Sequence, residues 1–64
     1  MVKMSLKSAR VNAGYTQESA AKELNVSKKT IWSWENGKII PKIDKINPIC
    51  NLYGLKYDDI SWLS

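Results

Sequence analysis

The sequence predicts an all-α domain of five short helices, and three observations carry that expectation. Glycines at 14, 37 and 54 each follow a stretch whose apolar residues recur at helical spacing. Prolines at 41 and 48 punctuate the rest, and no alternating strand pattern stands out. With 64 residues, 44% hydrophobic and 25% charged, the composition is that of a soluble folded domain. So short a chain buries only about 60% of the surface its unfolded form exposes, so the core must be small. Residues 1–64 read as one domain, without repeat, low-complexity segment or linker.

The first helix, Met4 to Asn12, sets Leu6, Ala9 and Ala13 on one face with Arg10 beside them, and Gly14 supplies its C-terminal turn. Thr16 suits the N-cap of the second, Glu18 favours the positive end of its dipole, and Ala20, Ala21 and Leu24 form its inner stripe. The small alanines permit a close crossing. Ser27 precedes a third helical pattern that starts only a few residues after Leu24, and two helices joined by so short a turn cross steeply. That is the spacing of a helix-turn-helix, over about residues 16–36.

Within the third helix, Ile31 and Trp34 share an inward face, Lys28, Lys29, Trp32 and Ser33 fall largely on the other, and Gly37 closes it. Pro48 inside a helix costs about 3 kcal/mol. The fourth helix is therefore expected to begin with Asn47 as N-cap and Pro48 in its first turn, with Ile43 and Ile46 as loop residues tucked onto the core. A last helix, Tyr57 to Leu63, carries Asp58 and Asp59 in its first turn and turns Ile60 and Leu63 inward.

Ten Lys and Arg against six Asp and Glu give +4 and a pI near 9.4, which suits a polyanionic partner, although surplus lysine also serves solubility alone. One cysteine, Cys50, and no histidine exclude a disulfide, a Cys/His zinc site and any Cys–His or Ser–His pair within one chain. A lone thiol suits the reducing cytoplasm. No apolar run approaches the ~18 residues of a membrane span, and a signal-peptide core is lacking, so the expected location is cytoplasmic, away from the membrane. Residues for a carboxylate pair, a metal cluster or a phosphate loop are not at hand, so no enzymatic activity, catalytic residue, metal or cofactor is expected.

Arg10, Gly14, Thr16, Gln17, Ala21, Val26, Ser27, Ile31, Trp34, Glu35, Gly37 and Pro41 fall at the spacing of the phage-repressor helix-turn-helix family. The combination GYTQ…VSKKTIWSWENG…P, within a match running from Leu6 to Ile60, resembles lambda-repressor-like, XRE-type domains. The resemblance implies a compact five-helix bundle whose second and third helices read double-stranded DNA, the third in the major groove. A groove about 12 Å wide admits one helix.

In similar proteins the positions of Ser27, Lys28, Lys29 and Ser33 read bases. Lys28 and Lys29 either donate to guanine O6 and N7 or hold phosphates. Trp32 departs from the family, which usually has a small or polar residue there; its ring either packs on a thymine methyl or the sugar backbone, or covers the edge of the second helix. Gln17 matches a glutamine that contacts the phosphate backbone, the alternative being a solvated first-turn residue. Asn36, Lys38 and Lys42 resemble a second phosphate-contacting segment. Arg10 and Glu35 match a structural ion pair tying the first helix to the third.

The function so implied is sequence-specific transcriptional regulation, as a phage or prophage repressor or Cro-like protein, bound as a homodimer on half-sites ~34 Å apart. No sensor domain is expected beyond the fifth helix, so no small-molecule ligand is expected and a dimer is expected to use the bundle itself. Tyr57 to Leu63 is the expected interface, and Trp62 either joins it or caps the core. An antitoxin or restriction-control protein would use the same DNA contacts. A protein-binding adaptor has no need of Lys28, Lys29 and Gln17.

Overall fold

The computed structural model describes residues 3–62. Its elements are β1 (Met4–Ser5), α1 (Leu6–Asn12), α2 (Gln17–Leu24), α3 (Lys28–Glu35), α4 (Ile43–Tyr53), a 3₁₀ turn (Tyr57–Asp59) and β2 (Ile60–Ser61). Each of the first three helices begins on a hydroxyl that satisfies an otherwise orphaned backbone N–H. Ser5 accepts from Ser8 N at 3.0 Å, Thr16 from Ser19 N at 3.0 Å and Ser27 from Thr30 N at 3.1 Å. In α2 the cap is reciprocal, because the Ser19 hydroxyl accepts from Thr16 N at 2.9 Å.

Their ends share a second device. At α1 the Gly14 N–H reaches Val11 O and the Tyr15 N–H reaches Arg10 O, the paired bonds of a Schellman turn, with Gly14 at φ +85°. Asn25 closes α2 in the left-handed region at φ 58°, and Val26 N bonds back to Ala21 O at 2.9 Å. This single left-handed residue makes the turn between α2 and α3 as short as the spacing requires.

The core joins a stripe from each of the four α-helices with Ile60 of β2: Leu6 and Ala9, Ala20, Ala21 and Leu24, Ile31 and Trp34, Ile49 and Tyr53, and Ile60. Ala20 is fully buried where α2 crosses its neighbours, and Ala13 and Val26 pack at the margin. Ile31 and Trp34 are buried as their spacing predicts.

Three expectations are corrected. First, α4 begins at Ile43, five residues before Pro48, which lies inside it. Carrying the helix upstream brings Ile46, Ile49 and Tyr53 onto one side at i, i+3, i+7 and lets the Lys45 Nζ donate to Leu24 O at 3.2 Å, at the end of α2. Pro48 and Asp44, whose carbonyl loses its helical partner, are both solvent-exposed, so water can satisfy that oxygen and the proline costs less than in a buried helix. Ile46 is half-buried, whereas Ile43, at 88% exposure, is not tucked onto the core.

Second, the fifth helix is absent among the described residues. After the 3₁₀ turn the backbone extends at Ile60, φ −115° and ψ 136°, and β2 pairs in parallel with β1, Met4 opposite Ile60 and Ser5 opposite Ser61. Four α-helices, not five, make the bundle. Ile60 is fully buried as expected, and Leu63 lies outside the described residues. Third, the first helix starts at Leu6, because Met4 and Ser5 belong to that pairing.

Candidate nucleic-acid interface

The third helix is fixed at both ends, and its two sides differ. At its start Ser27 caps Thr30, and the two hydroxyls lie 2.9 Å apart. Lys28 and Lys29 occupy the first two helical positions, with no acidic residue in that turn. Two cations at the positive end of a helix oppose its dipole, a cost of about 0.3–1 kcal/mol each that an anion in front of them would remove. Trp32 and Asn36 continue the same line at i+4 from Lys28 and are exposed, Trp32 at 45%. The Asn36 amide nitrogen donates to Trp32 O at 2.9 Å.

At the other end, Glu35 closes a network that spans three helices. Arg10 Nε donates to Glu35 Oε2 at 2.7 Å and Arg10 Nη2 to Glu35 Oε1 at 3.2 Å. Arg10 Nη1 donates to Tyr15 O at 2.9 Å, and Gln17 Nε2 donates to Glu35 Oε1 at 3.1 Å. The ion pair is bidentate with side chains 9% and 4% exposed, so both charges are largely desolvated and depend on each other. The Tyr53 phenol sits beside this network. Burial first, and then the Glu35 charge, push it up to about 12, with Arg10 opposing. It is neutral at physiological pH. Cys50 is half-buried, and burial followed by the Asp59 carboxylate raises its thiol, so little of the reactive thiolate forms.

Of the residues singled out in the sequence, Lys28, Lys29 and Trp32 lie together on the open side of α3, with Ser27 at its tip. Ser33 does not. It is 7% exposed, and its backbone carbonyl accepts from Lys38 N at 2.9 Å and from Ile39 N at 3.4 Å in the turn that Gly37 closes. The expected place of Ser33 on the outer side of the helix is therefore corrected. Gln17, in the first turn of α2, is half-buried by its bond to Glu35, and one of its two amide hydrogens is so engaged. Lys38 and Lys42 are exposed on the segment after α3, and Lys42 stands at the N-cap of α4 without a side-chain cap bond.

Sequence reasoning missed two participants. Tyr15 holds Arg10 through a backbone carbonyl, which no residue type announces. Thr30 adds a hydroxyl–hydroxyl bond of 2.9 Å to the Ser27 cap; the pattern S-x-x-T at 27–30 was the available signal.

The arrangement is a helix-turn-helix with its second helix presented outward, and the comparisons agree. A helix-turn-helix family model, HTH_3, matches residues 6–60. The chain belongs to the XRE-type helix-turn-helix family. It is similar to an uncharacterized HTH-type transcriptional regulator of Bacillus subtilis, YgzD, at 29% identity over 97% of this chain and 94% of that one. A protein of Methanocaldococcus jannaschii, the uncharacterized HTH-type transcriptional regulator MJ0272, is 39% identical over 92% of this chain and 89% of its own. The HTH-type transcriptional regulator ImmR of Bacillus subtilis is 38% identical over 83% of this chain, which spans 42% of its length. No solved structure matches the chain.

Proposed function

We propose that the protein is a sequence-specific DNA-binding transcriptional regulator that inserts α3 into the major groove. The observation that carries this reading is the two-sidedness of α3: Ile31 and Trp34 are buried in the bundle, while Lys28, Lys29 and Trp32 stand free on the opposite side. Both lysines are at the N-terminal end, the part of such a helix that reaches base edges. Lys28 donates to guanine acceptors, and Lys29 either joins it or holds a phosphate. Trp32 offers an apolar surface for a thymine methyl.

Phosphate contacts flank this helix. Gln17 keeps one amide hydrogen for a phosphate at the start of α2, and Asn36, Lys38 and Lys42 supply the second segment. The Ser27 hydroxyl serves first as a cap, so its contact with DNA is secondary. The likeness to phage repressors supports repression, by occupying a promoter as a pair of copies on a two-fold site.

Selection from a random pool of duplexes, followed by salt titration of the winner, tests the reading. The expected result is a two-fold symmetric motif whose affinity falls with salt at a logarithmic slope of about −0.9 per phosphate neutralised. No enriched motif and a flat salt response would favour a protein-binding adaptor instead.

A further inference from the structure

Of the five asparagines in the chain, Asn36 alone precedes a glycine. An asparagine side chain is open to attack by the backbone nitrogen that follows it, and a glycine there has no Cβ to obstruct the approach. The other four are protected. Pro48 brings no N–H to follow Asn47, and Asn12 and Asn51 lie within α1 and α4. Asn25 is followed by the β-branched Val26, whose N–H is engaged with Ala21 O at 2.9 Å. By contrast, the Gly37 N–H keeps only a stretched bond of 3.4 Å to Trp34 O, and Asn36 and Gly37 are both exposed just beyond the end of α3.

We infer that Asn36 is a site of spontaneous self-modification, where an amide in line with Lys28 and Trp32 becomes a carboxylate and the hold on DNA is lost. The chemical step stands on its own, and its consequence rests on the DNA-binding reading above. In the step, the Gly37 nitrogen gives up its proton and bonds to Asn36 Cγ, closing a cyclic imide, while the Cγ–Nδ2 bond breaks and ammonia leaves. Water then opens the ring at either carbonyl. One opening gives aspartate, and the other gives isoaspartate, with the backbone running through the former side chain. Water is the only co-reactant, and the nucleophile is already tethered beside its target.

The fold restrains this reaction only locally. Asn36 Nδ2 donates to Trp32 O at 2.9 Å, and the residue sits at φ −99° and ψ 9°, so ring closure needs that bond broken and the backbone turned. Asn36 is the C-cap of α3, at the exposed end of the helix, where such opening costs least. A phosphate seated on Asn36 holds its side chain in place, so the reaction falls on copies that are off the duplex. Afterwards a negative charge stands at the C-terminal end of α3, where the dipole opposes it, two residues before Lys38. It repels the phosphates assigned to Asn36 and Lys38.

Two measurements decide it. In the first, the protein is aged in mildly alkaline buffer at physiological temperature, with and without the selected duplex, and its peptides are weighed by mass spectrometry. The gain of an oxygen for an N–H should fall on the peptide spanning 36–37 before any peptide holding Asn12, Asn25, Asn47 or Asn51, and the duplex should slow it. A gain spread evenly, or starting elsewhere, would overturn the inference, and equal rates on and off the duplex would overturn its link to DNA. In the second, aged parent is titrated onto the selected duplex beside fresh parent and an Asn36→Asp variant that melts like it. Asn36→Gln, whose longer side chain closes a ring far more slowly, is aged in parallel. Aged parent and Asn36→Asp should bind at least about tenfold more weakly than fresh parent, the effect of a like charge set against phosphate. Asn36→Gln should keep through ageing whatever affinity it starts with. Fully modified parent that binds as tightly as fresh protein would sink the consequence. If fresh parent binds no duplex, the regulator reading fails on its own, and the peptide masses still decide the chemical step.

Discussion

Glu35 sits at the C-terminal end of α3, where the helix dipole disfavours a negative charge. It is tolerated there because Arg10 and Gln17 donate three hydrogen bonds to it. Removing the carboxylate leaves the Arg10 guanidinium buried with only Tyr15 O as partner. Glu35→Ala is expected to cost about 3–5 kcal/mol in denaturant unfolding, and Arg10→Met with Glu35→Ala should recover part of that loss. A loss near 0.5 kcal/mol would be that of an ordinary surface position. Tyr53 gives a pH prediction. Its folded-state pKa, about 12, lies above the ordinary value of about 10, so the neutral phenol contributes fully below pH 10 and the contribution is lost as pH rises toward 12. Relative to Tyr53→Phe, the parent should lose up to about 2–3 kcal/mol across that window; parallel stability curves would contradict the assignment. At this scale the Arg10–Glu35 pair and the inward face of Ile31 and Trp34 were legible from residue type and spacing. Ser33 was not: helical spacing set it on the outer side with Lys29, and it is buried beside Trp34 in the sequence, at 7% exposure.

Among the elements, the starts of α2 and α3 could be read directly, since Thr16 and Ser27 stand where backbone groups need partners, whereas the Ser5 cap of α1 was hidden inside a helix begun at Met4. Gly14 shows what its turn demands. A Cβ there meets nothing within 4 Å, so the strain of φ +85° alone sets the cost of Gly14→Ala, about 1–2 kcal/mol by thermal melt. A neutral result would mean that the turn relaxes. The start of α4 was misjudged, because the proline signal is local while Ile49 and Tyr53 are secured by packing against the rest of the bundle. Pro48→Ala restores the N–H to Asp44 O and should stabilise by about 1–2 kcal/mol, after allowing for the more flexible unfolded chain. Destabilisation would show that the ring fills a needed contact. The missing fifth helix has a similar origin: Ile60 and Ser61 pair with Met4 and Ser5, and a helical pattern of six or seven residues cannot announce a partner at the far end of the sequence.

For the molecule as a whole, the bundle holds one helix at a fixed angle with a cationic side facing out. The Arg10–Glu35–Gln17 network binds α1, α2 and the far end of α3 together, so the lysines at its near end project from a rigid base. Base reading and phosphate holding should then separate on mutation. Lys28→Ala should relax preference at one base pair and cost about 1–3 kcal/mol on the best site, while Lys42→Ala should weaken all sites alike and lower the salt slope by about one. The most direct test of groove entry is methylation interference on the selected duplex. Methyl groups at guanine N7, in the major groove, should block binding at defined positions, and Lys28→Ala should remove the block at one of them. Interference arising only at adenine N3, in the minor groove, or unchanged by Lys28→Ala, would contradict the placement of α3.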